Sequence, residues 1–230
     1  MPTRDELRVE IAKQLLRAKL DPLYFFSKLK TLDQDETNIR KRVKPFPVHK
    51  PYLQNLIWLA QTEKRLAIYK ARRMIVTWTA CGVAAHELLF FPGSYTGLIA
   101  QKEEKAGKLI GRIKFYYDHL PSYWKIGLPK LQFYRAKKAI YVKVIATFAN
   151  GPESVLEAYP EGGDQLRADG YSLIYWDEVG YCDDQLARMT YAAAVPALGQ
   201  TGRLILSSTP PRYPEHFWYS LVSGRYLDNL

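Results

Sequence analysis

The stretch "SLIYWDEVGY" runs four apolar residues, Leu173 to Trp176, straight into Asp177 and Glu178. A buried parallel strand that delivers two adjacent carboxylates to its C-terminal end is the Walker B arrangement. The first acid holds Mg2+, directly or through water, and the second polarises the water that attacks a γ-phosphate. Neighbouring side chains on a strand point to opposite faces, so separate roles for adjacent acids are geometrically natural. A strand that simply ends in an acidic turn is the competing reading. A second strand-like run, "GRLILSSTPPRYPEHFW", ends in Ser207, Ser208 and Thr209 and is then stopped by prolines. Hydroxyls there can bond a γ-phosphate or the acids of a neighbouring strand, and so report nucleotide state. Alone it reads as an ordinary Ser/Thr turn; following the Asp-Glu strand, that reading weakens.

The third candidate is "KARRMIVTW", residues 70 to 78, between the apolar run "RLAIY" and the helix-compatible "TACGVAAHELLF". The pattern G-x-x-x-x-G-K-[ST] occurs nowhere in the chain, and the one Gly-Lys pair, Gly107-Lys108, lies inside an amphipathic helix and is followed by leucine. Yet Lys70, Arg72 and Arg73 stand beside a helix N-terminus, whose free N–H groups already favour an anion. Thr77 occupies the place of a Mg2+-binding hydroxyl. Ile75 and Val76 stand where glycine and lysine are usual, and a β-branched residue disfavours positive φ. Taken alone, the stretch is a solvated basic turn.

These stretches need elements to hold them. Residues 4 to about 30 carry helical spacing through Leu7, Ile11, Leu15 and Leu16. A polar, proline-studded connector, "DQDETNIRKRVKPFPVHKP", follows, and helical spacing resumes from Tyr52. Strand-like runs then appear at "RLAIY", "YTGLIA", "AIYVKVIATFA", "YSLIYW" and "RLILSS". Helical patterns lie between several of them, most clearly "EEKAGKLIGRIKFYYDHL" with Ala106, Leu109, Ile110, Ile113 and Tyr117 on one face. Alternation of this kind implies an α/β fold, a mostly parallel sheet covered on both faces, with ligands at the carboxyl ends of the strands. The order of basic loop, Asp-Glu strand and Ser-Ser-Thr strand is that of phosphate-loop ATPases with a catalytic glutamate.

Composition sets outer bounds. A chain of 230 residues accommodates one sizeable α/β core. The formal charge of +10 favours a polyanionic partner, nucleic acid before an anionic membrane surface. No run is apolar enough to span a bilayer, and the polar N-terminus does not resemble a secretory signal. Cys81 and Cys182 lack metal or disulfide spacing, so a reducing compartment is the default. The four histidines form no metal-binding pair and read as structural.

From Phe46 onward the ordered set of motifs resembles the ATPase domain of the large terminase subunit of tailed phages. "PFPVHKPYLQNLIWLAQTEKRLAIYKARRMIVTW" is similar to that family's stretch from adenine recognition to Walker A, "SVLEAYPEGGDQLRADGYSLIYWDEVGY" to its approach to Walker B, and "LILSSTP" to its coupling motif. The resemblance implies a RecA-like phosphate-loop fold over residues 46–230, preceded by an N-terminal helical extension or lid over residues 1–45. It implies ATP and Mg2+ as cofactors. Tyr52 and Gln54 would contact adenine, and Lys70, Ala71, Arg72, Arg73, Met74, Ile75, Val76 and Thr77 would wrap the phosphates. Thr77 and Asp177 would bind Mg2+, Glu178 would activate water, and Ser207, Ser208 and Thr209 would couple hydrolysis to movement. Lys70, at the loop's start, would take over the work of the lysine missing at position 76. Arg167 and Arg112 are candidates for an arginine finger inserted from a neighbouring subunit.

The implied partners are double-stranded DNA, a portal protein and a small terminase subunit, at a procapsid in the host cytoplasm. A ring-forming homo-oligomer is implied on assembly, with a monomer left open for the isolated chain. Large terminases continue into an RNase H-like nuclease, for which a chain ending at Leu230 leaves no room. An ATPase domain separate from its nuclease is therefore expected. Two other readings stay open: a superfamily 2-type helicase or translocase domain, and a nucleotide- or DNA-binding module that has lost hydrolysis.

Overall fold

The structure, a computed structural model, describes residues 3–33, 37–38, 41–136, 140–162, 166, 170–211 and 213–224. Two helices open the chain, α1 (Arg4–Leu20) and α2 (Pro22–Ser27), followed by a two-stranded antiparallel hairpin of β1 (Lys30–Leu32) and β2 (Val43–Pro45). Thr3 and Glu6 form a reciprocal capping box at the start of α1, and Asp21 caps α2 with proline in its first turn. Then come α3 (Pro51–Thr62), β3 (Arg65–Tyr69), α4 (Val76–Phe90), β4 (Tyr95–Ala100), α5 (Glu103–His119), β5 (Lys130–Arg135), β6 (Tyr141–Thr147), β7 (Ser154–Pro160), β8 (Tyr171–Asp177), α6 (Asp184–Ala197), β9 (Leu198–Ser208) and α7 (Phe217–Val222).

Seven strands form one sheet in the order β3-β9-β8-β4-β7-β6-β5. Pairings from β3 through β7 are parallel, while β5 and β6 add an antiparallel edge. The expected mostly parallel sheet is present, and the antiparallel edge is a feature the alternating pattern did not announce. β5 reads "KLQFYR", too polar to stand out as a buried strand, and it is largely exposed. α6 carries few large apolar side chains and a proline at position 196, which concealed it as well.

Strand alternation sorts the core onto two faces. Leu173 and Tyr175 of β8 join the cluster beneath α3, α4 and α5, and Ile174 and Trp176 join the one beneath α6 and α7. α4 has no polar face, and all but Thr77 of its residues are buried, as befits a helix enclosed by packing partners. The segment read as an N-terminal helical extension shares this core: Ala18, Phe25 and Phe26 are completely buried. Contact is close at Gly82, where a Cβ would stand 2.5 Å from the Phe26 ring. Arg203 ties the opposite side together, donating to Glu87 at 2.6 Å and to the Ala60 carbonyl at 2.7 Å.

Three of the four histidines behave as structural groups, while His49 is exposed. His216 caps α7, and the His119 ring lies 2.8 Å from the Phe115 carbonyl. His86, 1% exposed, donates from Nε2 to the Ala18 carbonyl at 2.9 Å, while its Nδ1 has no hydrogen-bond partner among the described residues. Burial is the main reason that its pKa falls from 6.5 to about 4. The unfolded chain therefore binds this proton more readily, so the stability that His86 contributes is full at neutral pH and is lost as pH falls from 6.5 toward 4. Acidification from pH 7 to pH 5 should cost about 2 kcal/mol through this group. Urea unfolding of wild type and His86→Met checks it: the variant should lose that much of the pH dependence.

Candidate active site

Parallel pairing brings three strand ends together. Asp177 lies opposite Ser207 on β9, and Tyr69 lies opposite Ser208. The chain leaving β3 is pinned there, since the Lys70 amide donates to the Ser208 carbonyl at 3.0 Å. Asp177 continues the face occupied by Tyr175, toward α4. Its carboxylate accepts from Tyr175 Oη at 2.7 Å, from Ser207 Oγ at 3.0 Å and from Thr77 Oγ1 at 3.2 Å. The Thr77–Asp177 pairing expected from sequence is thus a direct contact. Tyr175 went unnoticed, although its place two residues before Asp177 on a strand put it on the same face.

Glu178 takes a left-handed backbone, φ 59° and ψ 45°. One carboxylate oxygen receives Lys70 Nζ at 2.5 Å, and the other accepts from the Thr209 amide at 3.2 Å and the Thr209 hydroxyl at 3.3 Å. Burial pushes its pKa upward, but the Lys70 hydrogen bond and charge together with the Thr209 donors outweigh that and hold it below the usual carboxylate range. Ser208 Oγ lies 3.5 Å from that second Glu178 oxygen and also accepts the Gly180 amide at 2.9 Å. Glycine is required at 180, because a Cβ would stand 2.8 Å from that same Oγ.

The loop from Lys70 to Thr77 encloses a cavity of about 310 Å3 together with Trp78, Arg112 and Glu178. It closes through two left-handed residues that are not glycine, Arg73 at φ 65° and Ile75 at φ 60°. Isoleucine adopts the backbone that glycine would supply, at a strain of about 1–2 kcal/mol. Ile75 is the N-cap of α4 and offers no side-chain cap, so the amides of the first turn are left for an anion. Val76 is buried and Met74 exposed. Arg72 donates to Tyr181 Oη at 3.1 Å, a contact to which no motif pointed.

Neither of the two residues expected to contact adenine, Tyr52 and Gln54, is among the described lining of the loop cavity. Tyr52 Oη is 3.5 Å from the Met74 carbonyl, and Gln54 Nε2 donates to the Val48 carbonyl at 3.0 Å. A second cavity, of about 370 Å3, lies between the β1–β2 hairpin and the loop, lined in part by Pro47, Lys50, Arg73, Ile75 and Trp78 and, among the described residues, by neither Tyr52 nor Gln54. Arg112 stands over the loop of its own chain, and Arg167 lies outside the described residues.

Thr77 and Asp177 present hard oxygen donors at the helix mouth, the chemistry Mg2+ prefers. Among the described residues no cluster of three His, Cys, Asp or Glu could hold a metal.

Strain at Ile75 makes neighbouring positions respond differently. Ile75→Gly should change stability by less than about 1 kcal/mol, because relief of the left-handed backbone offsets lost packing. Val76→Gly, in helical backbone with a buried side chain, should cost about 3 kcal/mol. Chemical denaturation of the two variants compares them. Removing the Lys70 charge should let the Glu178 pKa rise; a carboxylate-resolved NMR titration of Lys70→Met should show its midpoint above that of wild type.

No protein-family model matches this sequence, and comparison with curated proteins returns no match. Solved structures do match. The large terminase ATPase domain of Thermus phage P74-26 aligns over 73% of this chain and 67% of its own, at 18% identity and a TM-score of 0.53. The large terminase of bacteriophage HK97 aligns over 90% of this chain and 41% of its own, at 15% identity and a TM-score of 0.60. That of a thermophilic bacteriophage, solved in complex with ADP, aligns over 78% of this chain and 42% of its own, at 13% identity and a TM-score of 0.53. The chain thus spans less than half the length of the latter two proteins. With its sheet order, its loop-to-helix junction and its paired acids at the strand ends, the chain has the α/β phosphate-loop fold of the large-terminase ATPase domains.

Proposed function

We propose that this chain is the ATPase domain of a viral DNA-packaging motor, which hydrolyses ATP to drive double-stranded DNA into a procapsid. The observation that carries the reading is the Thr77 hydroxyl 3.2 Å from Asp177, with Glu178 next in sequence, at the mouth of an uncapped helix. The amides of the first turn of α4, with Arg72 and Arg73, bind the phosphates of ATP. Thr77 and Asp177 hold Mg2+, which when bound offsets charge on the phosphate oxygens. The adenosine end occupies the cavity between the β1–β2 hairpin and the loop, lined in part by Pro47, Lys50 and Trp78.

Glu178 orients the attacking water and accepts its proton. To do so it must exchange Lys70, which now holds the oxygen needed for that contact. Its depressed pKa keeps it ionised through the neutral range. Thr209 grips the other oxygen and Ser207 grips Asp177, so a shift in either acid is transmitted to β9 and the segment after it. A net charge of +10 supports DNA as the partner. No described helix is long and apolar enough to cross a membrane. Ring assembly on a portal, with a small terminase subunit and an arginine finger such as Arg167 from the neighbour, completes the proposed motor.

Steady-state ATP turnover tests the reading. The isolated chain should hydrolyse ATP slowly, lacking a neighbour's finger, and Glu178→Gln should lower kcat by about 100-fold or more while still binding nucleotide. Thr77→Ala should weaken the Mg2+ dependence. If wild type turns over no faster than Glu178→Gln even at high protein concentration, the chain is a nucleotide-binding module without hydrolysis.

A further inference from the structure

A phosphate loop ordinarily places a lysine immediately before its hydroxyl residue, where the side chain reaches the β- and γ-phosphates. Here that residue is Val76, 5% exposed and part of the core. The lysine at the loop's start does not stand in for it in this state: the Lys70 side chain is 8% exposed and ends on Glu178 at 2.5 Å. One other basic side chain among the described lining of this cavity comes from outside the loop, that of Arg112 on α5.

Arg112 is placed as a cation in waiting. Its guanidinium carbon lies 5.5 Å from the centroid of the Trp78 ring, and Trp78 directly follows Thr77. The same guanidinium lies beside the Cys81 thiol, one turn further along α4. That thiol is buried and its pKa is pushed up to about 12, so it is neutral and no counter-ion. Among the described residues no carboxylate lies within ion-pair distance of Arg112. An indole face holds a guanidinium weakly and leaves its N–H edge available, whereas phosphate oxygens bind that edge strongly.

We propose that Arg112 binds the phosphate tail of ATP in cis, supplying from α5 the positive charge that position 76 lacks. This rests on the reading of the site as an ATP site, and it gives Arg112 a role other than that of a finger offered to a neighbour. A finger in trans projects from its own chain's surface toward another site, whereas Arg112 stacks on its own Trp78 above its own loop. Bound phosphate would also link α5 to the start of α4, bringing a third element into the response to nucleotide.

Two measurements test the proposal. The first is calorimetric binding of ATPγS with Mg2+ to wild type and to Arg112→Ala, Arg112→Gln and Arg112→Lys. Ala and Gln should both weaken affinity by about tenfold or more, the usual effect of deleting a charged hydrogen-bond partner, and Lys should recover part of it. Gln keeps most of the bulk over Trp78 without the charge, so wild-type affinity in a folded Gln variant overturns the proposal while leaving the ATP site intact. The second is ATP turnover of Arg112→Ala mixed with Glu178→Gln. A cis residue predicts no more activity than the two separate proteins supply. Restored turnover in the mixture identifies Arg112 as a finger in trans and overturns the cis assignment. If wild type itself binds no ATPγS, the ATP-site reading falls, and the proposal with it.

Discussion

The carboxyl edge of the sheet depends on how Asp177 is satisfied. A carboxylate at the end of a buried strand loses water and must recover hydrogen bonds from the protein. Asp177 recovers them from hydroxyls on three different elements: Tyr175 on its own strand, Ser207 on β9 and Thr77 on α4. Each bond is modest alone, yet together they fix the first turn of α4 against two strands whose register is set by parallel pairing. The metal-binding geometry of the proposed site is therefore not an ornament added to the sheet. It follows from the same bonds that make burial of this carboxylate tolerable.

Strain collects at the same place. Arg73, Ile75 and Glu178 are the non-glycine residues with left-handed backbone among the described residues, and all three line one cavity. Such conformations persist where neighbouring contacts over-determine them. The loop is held at its start by the bond from Lys70 to β9, and at its end by the Thr79 amide on the Ile75 carbonyl. Lys70 and Thr209 hold Glu178 between them. Contacts at both ends thus carry what a glycine would otherwise relieve.

Much of this was legible in the residues. The runs "RLAIY" and "YTGLIA" become β3 and β4 with the boundaries that they suggested, and Thr77 and Asp177, set together by the resemblance, are in hydrogen-bond contact. Their alternation with helices was enough to indicate a parallel sheet. What escaped notice did so for physical reasons. β5 mixes polar and apolar residues because an edge strand need not be continuously hydrophobic, and β7, which pairs antiparallel with β6, alternates buried with half-buried residues. The left-handed Ile75 contradicts local preference and is imposed by tertiary contacts, which no local pattern encodes. Arg112 was read as a candidate finger for a neighbouring subunit, because spacing along α5 cannot show that its long side chain reaches Trp78 and the loop of its own chain.

The distribution of charge gives the loop its character. A lysine at position 76 would leave the first turn of α4 already inside the phosphate cavity. Valine there instead anchors the helix in the core, and the cations stand around the cavity: Lys70 at the loop's start, Arg72 and Arg73 within it, Arg112 across from it. With Lys70 neutralised by Glu178, neither charge is left uncompensated before a phosphate arrives. In the proposed ATPase, a polyphosphate would compete with Glu178 for this lysine, so phosphate binding and release of that carboxylate would draw on one cation. A lysine at position 76 has no such link to Glu178 built into its place in the chain. With the charge on the strand side of the loop, the proposed phosphate site is joined to the acid at the end of β8 through a single contact, the Lys70–Glu178 pair.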